Sequence, residues 1–256
     1  ALAAIRVVVA AEGAALRLYP SPDASPLREA AAKLHGFPAA DILAGNGSDD
    51  LLNILIRAYA GPGRPIGMLD PSYSLYPVLA AAQGAAVVKV PIRADFSFDV
   101  EAVAKCGAAI FFLTNPNAPL GVSFLPAKVS ELARAFPGLL VVDEAYAAFA
   151  DADCAELPKT HANVVVTRTI SKGHALAGLR AGYALCPPGL ATILHRVRDS
   201  YNLDRLAQVG AAAALADTGW LHETVGKVRF ERARLTSGLV ALGWSVVPSS
   251  GNFILA

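Results

Sequence analysis

Several short segments of this chain are apolar at every position rather than at every second one. "AAIFFLT" at 108–114 and "LLVVDE" at 139–144 are the clearest. A strand that is apolar throughout must be covered on both faces, and helices supply that cover in sheets built from parallel strands. Further runs of this kind predict strands at 65–69, 86–90, 109–114, 139–142, 164–167 and 181–185. Amphipathic stretches between them predict helices at 49–59, 72–83, 100–105 and 126–135. The alternation gives an α/β fold with a mainly parallel sheet and helices on both faces.

The pattern changes after Pro187. About fifty residues read as mostly helical, and "WSVVPSSGNFILA" then reads as two short strands around a turn. The expected organisation is a large unit over residues 1–190, followed at 191–256 by helices and the start of a smaller α+β unit. The opening "ALAAIRVVVAAEGAAL" lacks a basic leader and is broken by Arg6, so a helix or an edge of the core is expected there. The chain does not begin with Met and stops inside a strand-like run, so both ends look cut.

Composition narrows the classes of partner. There are 22 basic and 21 acidic residues, a net charge of +1, with no run of like charge. Nucleic acid and membrane surfaces are therefore not expected partners. Cys106, Cys154 and Cys186 are far apart and odd in number, which fits a reducing cytoplasm. The five histidines show no metal-binding spacing, and no metal site is expected.

In sheets of this class ligands collect at the carboxyl ends of the strands, and polar residues follow the apolar runs there. Lys172 lies in "TISKGHALAGLR", between Ser171 and Gly173. Apolar surroundings would favour its neutral amine, a nucleophile or base; alone, it could equally be a loop lysine. Asp143 ends an apolar strand, where a carboxylate is costly without a cation or donors, and Tyr146 follows three residues on. A protonated pyridine nitrogen is one such cation; a helix cap and a core tyrosine are the plainer reading of the pair. In "GNGSDD" a flexible turn leads into a helix opened by Ser48 and Asp49, a start suited to a phosphate or to an ordinary cap. Thr169, Ser171 and Arg180 add hydroxyl and guanidinium donors. Tyr73 could stack on a planar ring or pack in the core. In "NPNAPLG", Asn115 and Asn117 sit on a rigid turn and either donate to a ring hydroxyl or stabilise the turn.

Taken in order, "GNGSDD", "DPSYSLYP", "NPNAPLG", "VVDEAY" and "TISKGHALAGLRAGY" resemble the fold-type-I pyridoxal-phosphate aminotransferases, and within them the histidinol-phosphate aminotransferase branch. The resemblance runs from "LRLYPSP" to "SSGNFILA". It implies pyridoxal 5′-phosphate as cofactor, held covalently by Lys172, which would also move the reaction's proton. Asp143 would pair with the ring nitrogen, Tyr146 would contact the ring hydroxyl, and Tyr73 would stack on the ring. Backbone and side-chain donors of Ser48 and Asp49, with Thr169, Ser171 and Arg180, would hold the phosphate. Tyr19 would reach the neighbouring subunit's site, implying a homodimer with shared active sites. Asn202 and Asn252 would lie near substrate.

The implied reaction is transamination between histidinol phosphate and 2-oxoglutarate, or imidazole-acetol phosphate and glutamate, in histidine biosynthesis. Threonine-phosphate decarboxylation and aromatic transamination are enzymatic alternatives. A truncated, non-catalytic cofactor-binding remnant is an alternative of another class. The family's N-P-T-G is altered here: Ala118 precedes Pro119 and Leu120 follows it. Either Asn117 substitutes, or Tyr146 alone contacts the ring hydroxyl. One charge-assisted hydrogen bond is worth about 1.5–3 kcal/mol, enough to alter tuning without abolishing binding. The family's C-terminal arginine, which grips substrate acid groups, has no counterpart before Ala256.

Overall fold

A computed structural model describes residues 2–256. In chain order the helices are α1 (Leu2–Glu12), α2 (Ser25–His35), α3 (Ser48–Tyr59), α4 (Leu75–Ala82), α5 (Val100–Ala104), α6 (Pro126–Ala135), α7 (Leu190–Leu194), α8 (Arg205–Ala216) and α9 (Thr218–Ala241). The strands are β1 (Ile42–Gly45), β2 (Ile66–Asp70), β3 (Val87–Pro91), β4 (Ile110–Thr114), β5 (Leu139–Asp143), β6 (Val164–Thr169) and β7 (Gly182–Leu185).

Among the described residues the strands form one sheet in the order β1-β7-β6-β5-β4-β2-β3. All neighbours from β6 to β3 are parallel, whereas β7 runs antiparallel to both β6 and β1. That one reversal matters for the site, because it brings the start of β7 to the edge where β1, β2, β4, β5 and β6 end.

Strand alternation divides the core. Leu140, Val142, Val164 and Val166 join α2, α6 and α8 residues such as Leu27, Leu132 and Ala211 on one face. Leu139, Val141 and Val165 join α3, α4 and α7 residues such as Leu52, Tyr76 and Leu194 on the other. Burial of both parities is why these strands read as continuous apolar runs.

The structure differs from the sequence reading at several points. Strand β1 is only "ILAG", too short and too poor in β-branched residues to stand out. Helix α2 ends at Gly36, which adopts the left-handed conformation of a helix C-cap. Helix α4 begins at Leu75 rather than Ser72, because Pro71 to Tyr73 stay outside it. The segment after Gly243 forms a single antiparallel bridge, Val247 to Leu255, rather than two strands. Pro248 has no N–H to give a ladder, and the Ser249 hydroxyl bonds locally to the Phe253 carbonyl and the Gly251 N–H. After Pro187 the helices divide: Ala207, Ala211 and Leu215 of α8 enter the main core, while Val225 is the buried residue of α9.

Candidate active site

A pocket opens at the carboxyl edge of the sheet. It is lined by Ser48 and Asp49 after β1, Tyr73 after β2, and Thr114 and Ala118 at the end of β4. Asp143, Ala145 and Tyr146 close β5, and Thr169, Ser171, Lys172, Ala177 and Arg180 come from the crossing between β6 and β7. Nine residues picked out in the sequence thus converge on one hollow from the ends of β1, β2 and β5 and from the crossing between β6 and β7.

One wall is built to meet an anion. Gly47 caps α3 at φ 83°, and no side chain bonds the first turn's N–H groups. The positive φ requires glycine at 47, and a Cβ there would come within 2.6 Å of Arg180 Nη2 and push the guanidinium aside. A Cβ on Gly182 would lie 2.7 Å from the Ser48 nitrogen, so the start of β7 can lie against this turn only as glycine. Arg180 Nη2 stands 3.4 Å from Asp49 Oδ2, and the Tyr73 hydroxyl donates to Asp49 Oδ1 at 3.3 Å. A carboxylate cannot donate to a phosphate. Asp49 therefore offers an anion its backbone N–H, while its side chain holds Arg180 and Tyr73. The Thr169 hydroxyl donates to Ser171 Oγ at 2.9 Å and accepts from the Ser171 N–H at 3.1 Å.

The floor is Asp143, only 2% exposed. Tyr76 donates to its Oδ2 at 2.7 Å, Thr167 donates to its Oδ1 at 3.3 Å, and the Ala145 N–H also contributes. Burial pushes its carboxyl up from the ordinary range, and those hydrogen bonds oppose it. The main influences on its charge include no cation, and among the described residues it has no ion pair. Tyr73 is raised to about 12, chiefly by burial and then by Asp49. Lys172 is exposed, not sequestered by the apolar run before it. It lies past the sheet edge at the pocket mouth, its Nζ 5.5 Å from the Tyr146 ring centroid.

The sequence matches the family of class I and II aminotransferases over residues 1–256. The chain belongs to that family. Histidinol-phosphate aminotransferase of Citrifermentans bemidjiense is 48% identical over 95% of this chain and 69% of its own length. The enzyme of that name from Geobacter sulfurreducens is 45% identical over 99% of this chain and 72% of its own. The crystal structure of the Sinorhizobium meliloti histidinol-phosphate aminotransferase, in complex with pyridoxal-5′-phosphate, superposes with a TM-score of 0.91 at 31% identity. It covers 98% of this chain and 71% of that one.

Five residues singled out in the sequence lie away from the pocket of this aminotransferase chain. Asn117 is buried, donating to the Pro71 carbonyl at 3.2 Å and accepting from the Leu120 N–H at 3.2 Å. Its amide ties this turn to the segment after β2, and Ala118 is the residue that lines the pocket. Asn115 likewise bridges to Phe124. Asn202 bonds the Ala44 carbonyl and Asp50 Oδ2, and Asp50 in turn accepts the Asn46 N–H. It therefore braces the turn before α3. Asn252 lines a separate, mostly apolar hollow with Arg232 and Leu235. Tyr19 is 77% exposed and stacks on Tyr201 at 4.7 Å. Tyr76, Thr114 and Thr167 also belong to the site, hydroxyls embedded in or beside apolar runs that no motif marks. The alternation of β4 and β6 and the i, i+3 spacing of Tyr73 and Tyr76 were the available signals.

No described helix is long and apolar enough to cross a membrane.

Proposed function

We propose that this chain catalyses pyridoxal-phosphate-dependent transamination of histidinol phosphate with 2-oxoglutarate, reversibly, in histidine biosynthesis. The observation that carries the cofactor is Asp143: a buried carboxylate with donors on both oxygens and no cation of its own, facing a pocket that also holds a lysine and an anion wall. A protonated pyridine nitrogen supplies the missing charge. The residues present fit the remainder of the group. Arg180, Ser171, Thr169 and the free N–H groups at Ser48 and Asp49 suit a phosphate; Tyr73 and Tyr146 offer aromatic faces and hydroxyls; Lys172 offers an amine. The substrate rests on the two relatives at 45–48% identity, both histidinol-phosphate aminotransferases.

Pyridoxal phosphate, when bound, supplies an electron sink for the bond broken at the substrate α-carbon. Lys172 Nζ would hold the cofactor covalently, and its amine would carry the proton leaving the substrate Cα. Asp143 would pair with the ring nitrogen and favour its protonated form. With Asn117 committed to its turn and alanine at 118, Tyr146 is left to contact the ring hydroxyl. Arg180 and the α3 start anchor the phosphate. We further propose a cytoplasmic homodimer in which Tyr19, exposed and outside its own chain's pocket, reaches the partner's site.

The test is a single-turnover assay on the cofactor-loaded protein, read as conversion of the bound cofactor to its pyridoxamine form. Histidinol phosphate should convert it faster than phenylalanine does. Carbon dioxide release from threonine phosphate would favour the decarboxylase, faster conversion by phenylalanine the aromatic enzyme, and binding without conversion a non-catalytic remnant.

A further inference from the structure

Asp143 terminates a chain of hydroxyls that no sequence motif announces. Tyr76 donates to its Oδ2 at 2.7 Å. The same phenol oxygen lies 2.6 Å from Thr114 Oγ1, which lies 2.9 Å from Ser72 Oγ. Each hydroxyl has one hydrogen. Since Tyr76 gives its hydrogen to the carboxylate, its oxygen must accept from Thr114. Thr114, its hydrogen committed, must accept from Ser72. Every link therefore points toward Asp143, and bonds aligned in this way polarise one another.

We propose that Tyr76 is a positioning residue of the aminotransferase site, fixing the Asp143 carboxylate in the orientation it presents to the pocket and stabilising its charge, with Thr114 and Ser72 aligned behind it. The proposal rests on the reading of the pocket as a cofactor site. The phenol is well placed to act rigidly. Tyr76 is fully buried, stacks on Phe112 at 4.8 Å and meets the Tyr73 ring edge-on at 5.6 Å. Water cannot replace its hydroxyl without a cavity opening between β4 and α4. The other groups facing Asp143 do not duplicate it. Thr167 is farther, at 3.3 Å; Asp49 repels its charge; Tyr73, Tyr146, Lys172 and Arg180 line the open side of the pocket. Burial raises the Asp143 carboxyl, and the Tyr76 bond is the foremost effect opposing that rise.

A merely space-filling tyrosine predicts no change in Asp143 when its hydroxyl is removed. The experiment titrates Asp143 by carboxyl-carbon NMR in cofactor-free protein, with the resonance assigned by its loss in Asp143→Asn. In Tyr76→Phe the midpoint should rise by about one to two pH units, the equivalent of one hydrogen bond to a charged group. In Thr114→Val, which keeps the phenol, it should rise by less. The dissociation constant for pyridoxal phosphate at neutral pH should weaken about tenfold in Tyr76→Phe, roughly 1.4 kcal/mol. An Asp143 midpoint that stays or falls in folded Tyr76→Phe overturns the proposal; if that variant does not fold, the same result in Thr114→Val does so. Should the wild-type protein fail to bind pyridoxal phosphate, the cofactor reading falls, and the titration still decides the role of Tyr76.

Discussion

Asp143 and Glu144 are adjacent carboxylates, both buried, at the end of the same strand. Their surroundings differ in one respect. Asp143 turns toward α4 and receives only hydroxyl and amide donors. Glu144 turns to the other face, where Oε2 lies 2.7 Å from Arg168 Nη2 and Oε1 accepts the Cys154 N–H. Arg168 also meets Asp153 at 3.0 Å. Burial pushes Glu144 up to about 7, against the pull of Arg168. One carboxylate thus has a cation within the chain, and its neighbour has none among the described residues. Burial of a charge does not mark a site; burial without an internal counter-charge does.

Substitution at each carboxylate cluster should have opposite consequences. Arg168→Met leaves Glu144 and part of Asp153 without their cation, and removing one partner of a buried pair costs about 3–5 kcal/mol. Denaturant unfolding of the cofactor-free protein should show that loss; a change below about 1 kcal/mol would mean the Glu144 side is not a structural pair. Asp143→Asn should do the reverse. Its unfolding free energy should stay within about 1 kcal/mol of wild type, since no internal ion pair is lost. Its turnover should fall by about 10²–10³, as for removal of one preorganised electrostatic contact in an active site. Stability loss without turnover loss would invert the assignment of the two carboxylates.

A smaller effect comes from His35, beside the Glu144 cluster. Its Nε2 lies 2.8 Å from the Tyr183 hydroxyl, and burial, then the charge of Arg168, lowers it to about 4. A histidine depressed in the folded state stabilises fully above its unfolded value near 6.5. That contribution is lost as pH falls through about 4. The stability difference between wild type and His35→Gln should therefore shrink as pH is lowered from 7 to 4. A difference that is flat or grows over that window would place His35 outside the buried cluster.

The asymmetry between the two carboxylates also shows what a sequence can disclose. Asp143, Lys172 and Arg180 were legible because each follows or precedes an apolar run, and strand ends are where this fold gathers its ligands. Tyr76, Thr114 and Thr167 were not, because a hydroxyl inside an apolar segment looks like core until its partner across the sheet is known. Asn117 and Asn202 look like site residues by type, yet their amides tie together segments distant in sequence, Asn117 to Pro71 and Asn202 to Ala44 and Asp50. Lys172 was expected in apolar surroundings and is instead exposed at the pocket mouth. The apolar run that precedes it ends at the sheet edge, and the pocket opens there. Side-chain identity was readable; the direction in which each polar group spends its hydrogen bonds required the fold.

The central claim is that Lys172, above the unpaired Asp143, is the attachment point of pyridoxal phosphate. Borohydride reduction of the cofactor-incubated protein, followed by peptide mass spectrometry, tests it most directly. A pyridoxyl adduct is expected on the peptide containing Lys172, absent from Lys172→Ala and weakened in Asp143→Asn. An adduct spread over exposed lysines such as Lys89 and Lys105, or unchanged labelling in Lys172→Ala, would contradict it.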